Sequence, residues 1–180
     1  TIKINETNAI TLTSVSTADG SVTVTAGGPL TATSITSTTA GDNNITLSTI
    51  AGDISVLSIN AGSQNNVLLT AAAAITEDDN PTTVVTAADL TATAPGTITL
   101  DTNVDNITAR STSVGAIKID ETDAVTLASV TTADGSISVT SGGTMTATLV
   151  RSDTDNNENY ISLTTTVGDI AVVSIAAGSI

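Results

Sequence analysis

The chain copies itself. The segment IKINETNAITLTSVSTADGSVTVTAGG, from Ile2 to Gly28, returns as IKIDETDAVTLASVTTADGSISVTSGG from Ile117 to Gly143. The offset is 115 residues. One residue is then inserted near Tyr160, and ITLSTIAGDISVLSINAGS (45–63) matches ISLTTTVGDIAVVSIAAGS (161–179). Of 63 aligned positions, 37 are identical, which is the mark of tandem duplication rather than of a shared bland composition. The chain therefore reads as one repetitive segment, 1–180, with copies at 1–63 and 116–180 and a spacer at 64–115. Both ends fall inside the long unit, so the segment reads as a window of a longer chain.

Inside the long unit lies a shorter one. Runs of five to seven residues with alternating apolar character (AITLTSV, GSVTVTA, NNITLST, GTITLD, GSISVTS) are separated by AGG, AGD, ADG, APG or SVG. Strict alternation with β-branched residues predicts half-buried strands, and the Gly, Asp and Asn clusters predict turns. Pairs of strands recur at roughly 20 to 23 residues, a length suited to one coil of a β-solenoid.

Two all-β architectures fit that spacing. One is a parallel β-helix (β-solenoid) of roughly eight coils; the other is a pair of tandem immunoglobulin-like β-sandwiches. Composition separates them. A sandwich core about 10 Å thick is ordinarily filled by aromatic rings, and this chain has one Tyr and no Phe or Trp. A solenoid piles equivalent small aliphatic residues in register and needs no rings. The corner Gly-Asp/Ser-Ile/Val also recurs at Gly20, Gly52, Gly135 and Gly168. The solenoid is the expected fold, with a period of about five coils per 115 residues.

The string GSVTVTAGGPLTATSITSTTAGDNNITLSTIAGDISVLSINAGS resembles the repeat regions of filamentous-haemagglutinin-like adhesins and other large β-solenoid surface proteins of bacteria. The resemblance implies a structural or adhesive fibre segment, extracellular at the bacterial cell surface. Its implied partners are itself, head to tail or laterally, and a surface receptor or glycan. The secretion and cell-binding domains of such proteins have no counterpart in this segment.

Composition excludes other classes. With no His and no Cys there is no Ser-His-Asp triad, zinc finger or Fe–S cluster, and no enzyme activity is expected. Four cations against eighteen carboxylates, a net charge of −14, exclude a nucleic-acid partner. No apolar run is long enough for a membrane-inserted helix, and no basic leader precedes one.

The acidic turns are the candidate sites. Glu77, Asp78 and Asp79 precede Pro81, and Asp153, Asp155 and Glu158 precede Tyr160. Crowded oxygen ligands on loops suit Ca²⁺, although no EF-hand or GGxGxD pattern is present. Solvated turn residues are the plainer reading. The pair Glu77 and Asp79 also raises an alternative function, a carbohydrate-binding or carbohydrate-cleaving β-helix, against which the near absence of aromatic sugar platforms counts. A further alternative is an ice-binding threonine array, from T-x-T pairs at Thr11/Thr13, Thr23/Thr25, Thr31/Thr33, Thr91/Thr93, Thr97/Thr99 and Thr146/Thr148. Finally, Lys3 and Lys118 each precede a Glu by three residues (Glu6, Glu121), which suggests a local surface ion pair rather than an isopeptide crosslink. The Gly27-Gly28 and Gly142-Gly143 pairs read as turns.

Overall fold

A computed structural model describes residues 1–39, 41–154 and 159–178. Among them it is all-β, with 21 strands joined in one parallel, coiled sheet. The first coil is β1 (Ile2–Glu6), β2 (Ile10–Leu12) and β3 (Val15–Ser16). The second is β4 (Val22–Ala26), β5 (Leu30–Ala32) and β6 (Ile35–Thr36). The third is β7 (Ile45–Thr49), β8 (Ile54–Val56) and β9 (Ile59–Asn60). Then come β10 (Val67–Thr70), β11 (Ile75–Thr76), β12 (Val85–Ala94) and the long β13 (Ile98–Val114). The upper coils are β14 (Ile117–Glu121), β15 (Val125–Asp134), β16 (Ile137–Ser141), β17 (Met145–Ala147) and β18 (Val150–Ser152). The last is β19 (Ile161–Thr165), β20 (Ile170–Val172) and β21 (Ile175–Ala177). The architecture is a β-solenoid of about eight coils, and the uniformly parallel ladders rule out the tandem sandwiches.

Register explains the alternation. Ile10, Leu30, Ile54, Ile75, Ile98, Ile117, Ile137 and Ile161 stack directly, one per coil. A second column runs Ile2, Val22, Ile45, Val67, Leu90, Ile107, Leu127, Ala147 and Val172. At about 4.8 Å per coil this second column is on the order of 40 Å long. A period of two along each strand sends these residues inward and their Thr and Ser neighbours outward. Each fully buried Ile or Leu contributes about 1.5–3 kcal/mol. Tyr160, the one aromatic residue, lies outside the column and is 59% exposed.

The 115-residue unit does not span a whole number of coils. Ile2 belongs to the second column, whereas its copy Ile117 belongs to the first. Val15 pairs with Ile35, yet its copy Val130 stacks over Ala109 on the face that Ile2 began. The unit covers five coils and one further face, so the second copy is turned by one face relative to the first. The change of phase occurs in β12 and β13, the spacer, where strands run on through corners that the copies break. A third column, Val15, Ile35, Ile59 and Val85, turns polar there and continues as Thr102, Glu121 and Ser141.

Buried polar groups at the corners are satisfied from coil to coil. Ser37 donates to the Gly20 carbonyl (2.8 Å), and its copy Ser152 donates to that of Gly135 (2.9 Å). Asn43 donates through Nδ2 to Asp19 and to the Thr39 carbonyl. Asn159 does the same to Asp134 and the Thr154 carbonyl. Asn159 is thus the counterpart of Asn43, which places the inserted residue between Thr154 and Asn159, near Tyr160 as expected.

Candidate functional site

The acidic turn 77–80 folds across the outside of the first column. Glu77 accepts the Asp79 amide through Oε2, while its Oε1 is buried without a partner. Asp78 accepts the Thr83 hydroxyl at 2.6 Å. Asp79 sits at φ 53°, a left-handed conformation that Asp tolerates better than most residues. It meets Lys118 at 3.3 Å, and Lys118 also reaches Asp120 at 3.2 Å. Asp79, Lys118 and Asp120, with Pro81, Val84 and Asp101, line a hollow of about 350 Å³. Nothing in the sequence joined Asp79 to Lys118; stacking three coils did.

Lys118 therefore pairs with Asp79 and Asp120, not with Glu121 as the spacing suggested. Its ammonium is held above the ordinary lysine value, chiefly by the hydrogen bond to Asp120. All three side chains are substantially solvent-accessible, so the pairs add little stability. Asp101 is pushed up, first by burial and then by Asp120. Glu77 is also pushed up, mainly by burial, with Asp101, Asp79 and Asp78 adding to it.

The two repeat-borne glutamates take a different role. Glu6 accepts the amides of Thr7 (2.8 Å) and Asn8 (3.1 Å), closing its own corner. Glu121 does likewise with Thr122 (2.9 Å) and Asp123 (3.3 Å). Because a coil lies beneath it, Glu121 also accepts Thr102 Oγ1 at 2.7 Å and the Val104 amide at 3.1 Å, and it is only 5% exposed. One motif thus gives two titrations. Hydrogen bonds from the Asn8 and Thr7 amides lower Glu6, whereas burial raises Glu121.

A pH dependence follows. A carboxyl group whose folded value is raised stabilises the fold fully below its unfolded value, and that stability is lost as pH rises through the folded value. For Glu121 and Glu77 the loss begins near the ordinary value of 4.5, and for Asp101 near 3.8. The urea midpoint at pH 4.5 should exceed that at pH 7.5, both in 0.5 M salt to screen the net charge. A higher midpoint at pH 7.5 would contradict the account.

Of the calcium candidates, Asp79 is engaged with Lys118, and Asp153 with Arg151. Asp155 and Glu158 lie outside the described residues. Among the described residues no three carboxylates converge as a metal-holding group. A cation at Asp79 or Asp153 would compete with a cation of the chain itself.

The threonine pairs divide by geometry. Thr23/Thr25 and Thr91/Thr93 each stand on one strand, β4 and β12, pointing out from the face of the second column. Between them stack Thr46/Ser48 and Leu68/Thr70, and beyond them Thr108/Arg110. The other four pairs straddle a bend or a turn. In Thr11/Thr13, Thr31/Thr33 and Thr146/Thr148 the second residue follows the strand end, and Thr97 precedes β13. The array is therefore a partial one, on one face only.

The same face is hollowed. Asn44, Asn66, Asp89 and Asn106, each one residue before the column, form an outward ladder beside Thr46, Leu68, Thr91 and Thr108. The Asn66 amide donates to Asn44 Oδ1 (2.8 Å), and Asn106 Nδ2 donates to Asp89 (2.9 Å). The trough between the two ranks holds about 560 Å³.

Comparison of the chain with protein-family models, curated proteins and solved structures returns no match.

Proposed function

We propose that the chain is a rod segment of a bacterial surface fibre, extracellular, structural and adhesive in role, and extended by coil-on-coil stacking. The supporting observation is the contrast between interior and end coils. In interior coils the columns are buried, Met145, Ala147 and Val150 fully, whereas in the last coil the residues stacked on them, Ile170, Val172 and Ile175, are exposed, Val172 to 53%. That coil also turns an unpaired row of backbone groups to solvent, a surface that takes another strand readily. A further coil, of the same chain or of a second copy, would restore both the ladder and the column. When the added coil belongs to a second copy the contact is heterologous and does not close, so it builds filaments rather than rings.

In the isolated 180-residue protein, sedimentation velocity should show species growing with concentration. Val172→Asp with Ile175→Asp, which place two carboxylates in the joint, should hold it monomeric. A wild-type protein monomeric at all concentrations would sink end stacking.

A further inference from the structure

From the trough on the second-column face we infer a binding site for a neutral, linear polysaccharide lying along the solenoid axis. The inference supplies a partner for the adhesive half of the reading above and is independent of end stacking, because the trough lies within one chain.

Its shape comes first. The 560 Å³ trough continues past Asn106 into a second hollow of about 340 Å³, where Asn106 is followed by Thr126 and Thr146 in the same rank. From Asn44 to Thr146 the rank crosses six coils, roughly 24 Å at the coil spacing. A long narrow concavity takes a chain. A flat crystal face, as an ice-binding array would need, does not sit in it.

Its chemistry selects the chain. The ladder hydrogen bonds use only some of the amide capacity. Among the described residues, Asn44 Nδ2, both side-chain ends of Asn66, Asn106 Oδ1 and one Asp89 oxygen have no protein partner. Thr46, Thr91 and Thr108 add hydroxyls beside them. Donors and acceptors repeated at the coil spacing match a polymer that carries hydroxyls, which both donate and accept, at a regular step. Leu68, 40% exposed within the threonine rank, offers an apolar contact for the C–H face of a sugar ring.

Charge excludes the other polymers. Among the described residues no Lys or Arg lines either hollow, Asp89 and Asp105 do, and the chain carries −14 overall, so an anionic glycan is repelled. Each contact is weak, and affinity comes from several coils engaging one chain together.

Native gels cast with hydroxyethylcellulose, with alginate or with chitosan separate the cases. Retardation is expected in hydroxyethylcellulose and not in alginate. Leu68→Arg with Thr91→Arg, both outward and so tolerated by the fold, should weaken it at least fivefold while leaving the thermal midpoint near that of wild type. Ser55→Arg, outward on the first-column face and outside the trough, should leave it unchanged. No retardation in hydroxyethylcellulose overturns the proposal, as does equal retardation of the double arginine variant. Retardation by chitosan alone, lost in Asp89→Asn, also overturns it and reduces the trough to a charged surface. None of these results bears on sedimentation, so the rod stands or falls separately.

Discussion

Ile54→Asp is expected to abolish cooperative unfolding of the 180-residue protein, while Ser55→Asp, one residue along, moves the urea midpoint by no more than about 0.5 kcal/mol equivalent. Ile54 is fully buried and stacks between Leu30 and Ile75 in the first column. A carboxylate there has no partner of opposite charge among the described residues, and an unpaired buried charge costs several kcal/mol. That is comparable to the whole stability of a domain, about 5–15 kcal/mol. Protonation to escape the charge still leaves a polar group in an aliphatic column. Ser55 pairs with Thr31 and Thr76 along the same strands but faces out. In a solenoid each coil rests only on its neighbours, so the damage at Ile54 divides the rod into the coils below and above β8. Far-ultraviolet circular dichroism with urea should show a broad, low-amplitude transition for Ile54→Asp and a wild-type-like one for Ser55→Asp. Equal behaviour of the two would mean that the register is wrong by one residue.

That register was legible in the sequence because the period of two is local: each run shows which residues point inward. The parallel stack was legible from the lack of rings and the recurring Gly-Asp/Ser-Ile/Val corner. The rotation of the second copy was not. Identity between Ile2 and Ile117 says that they occupy equivalent corners of a coil. It does not say how many faces the spacer adds between them, since that depends on whether β12 and β13 bend or run straight. The sites were less legible still. Asp79 and Lys118 are 39 residues apart and meet only because their coils stack. The Asn44–Asn66–Asp89–Asn106 rank is spread through four segments with irregular spacing, and no local pattern collects it. Glu121 carried a signal that could have been read. The string E-T-N/D-A repeats at a corner, and a carboxylate that starts a tight turn commonly accepts the following amides.

Gly142→Ala should lower stability by about 1–3 kcal/mol or more, the scale of an overpacked core, with Gly27→Ala milder despite the same local clash. Neither glycine needs a left-handed backbone; neither is among the positive-φ glycines. Their constraint is contact with the coil below. The Gly142 amide donates to the Glu121 carbonyl at 2.9 Å and that of Gly143 to Asp123 at 2.9 Å; Gly27 and Gly28 donate to Glu6 and Asn8 in the same way. A Cβ on Gly142 would lie 1.8 Å from the Thr122 carbonyl oxygen, and one on Gly27 2.0 Å from that of Thr7. Both obstacles are backbone and cannot rotate aside. The difference lies in what can move. Thr7 belongs to the first coil, whose Ile2, Ile4 and Ile10 are only partly buried, so that coil can lift away at modest cost. Thr122 lies between two coils and carries the corner that Glu121 closes, so lifting it opens the buried carboxylate to water. Hydrogen exchange should accordingly show faster exchange confined to residues 2–16 in Gly27→Ala. In Gly142→Ala it should spread across β14 and β16, with a lowered urea midpoint. Equal losses in the two variants would show that the stack resists separation uniformly, against the neighbour-only coupling argued for Ile54.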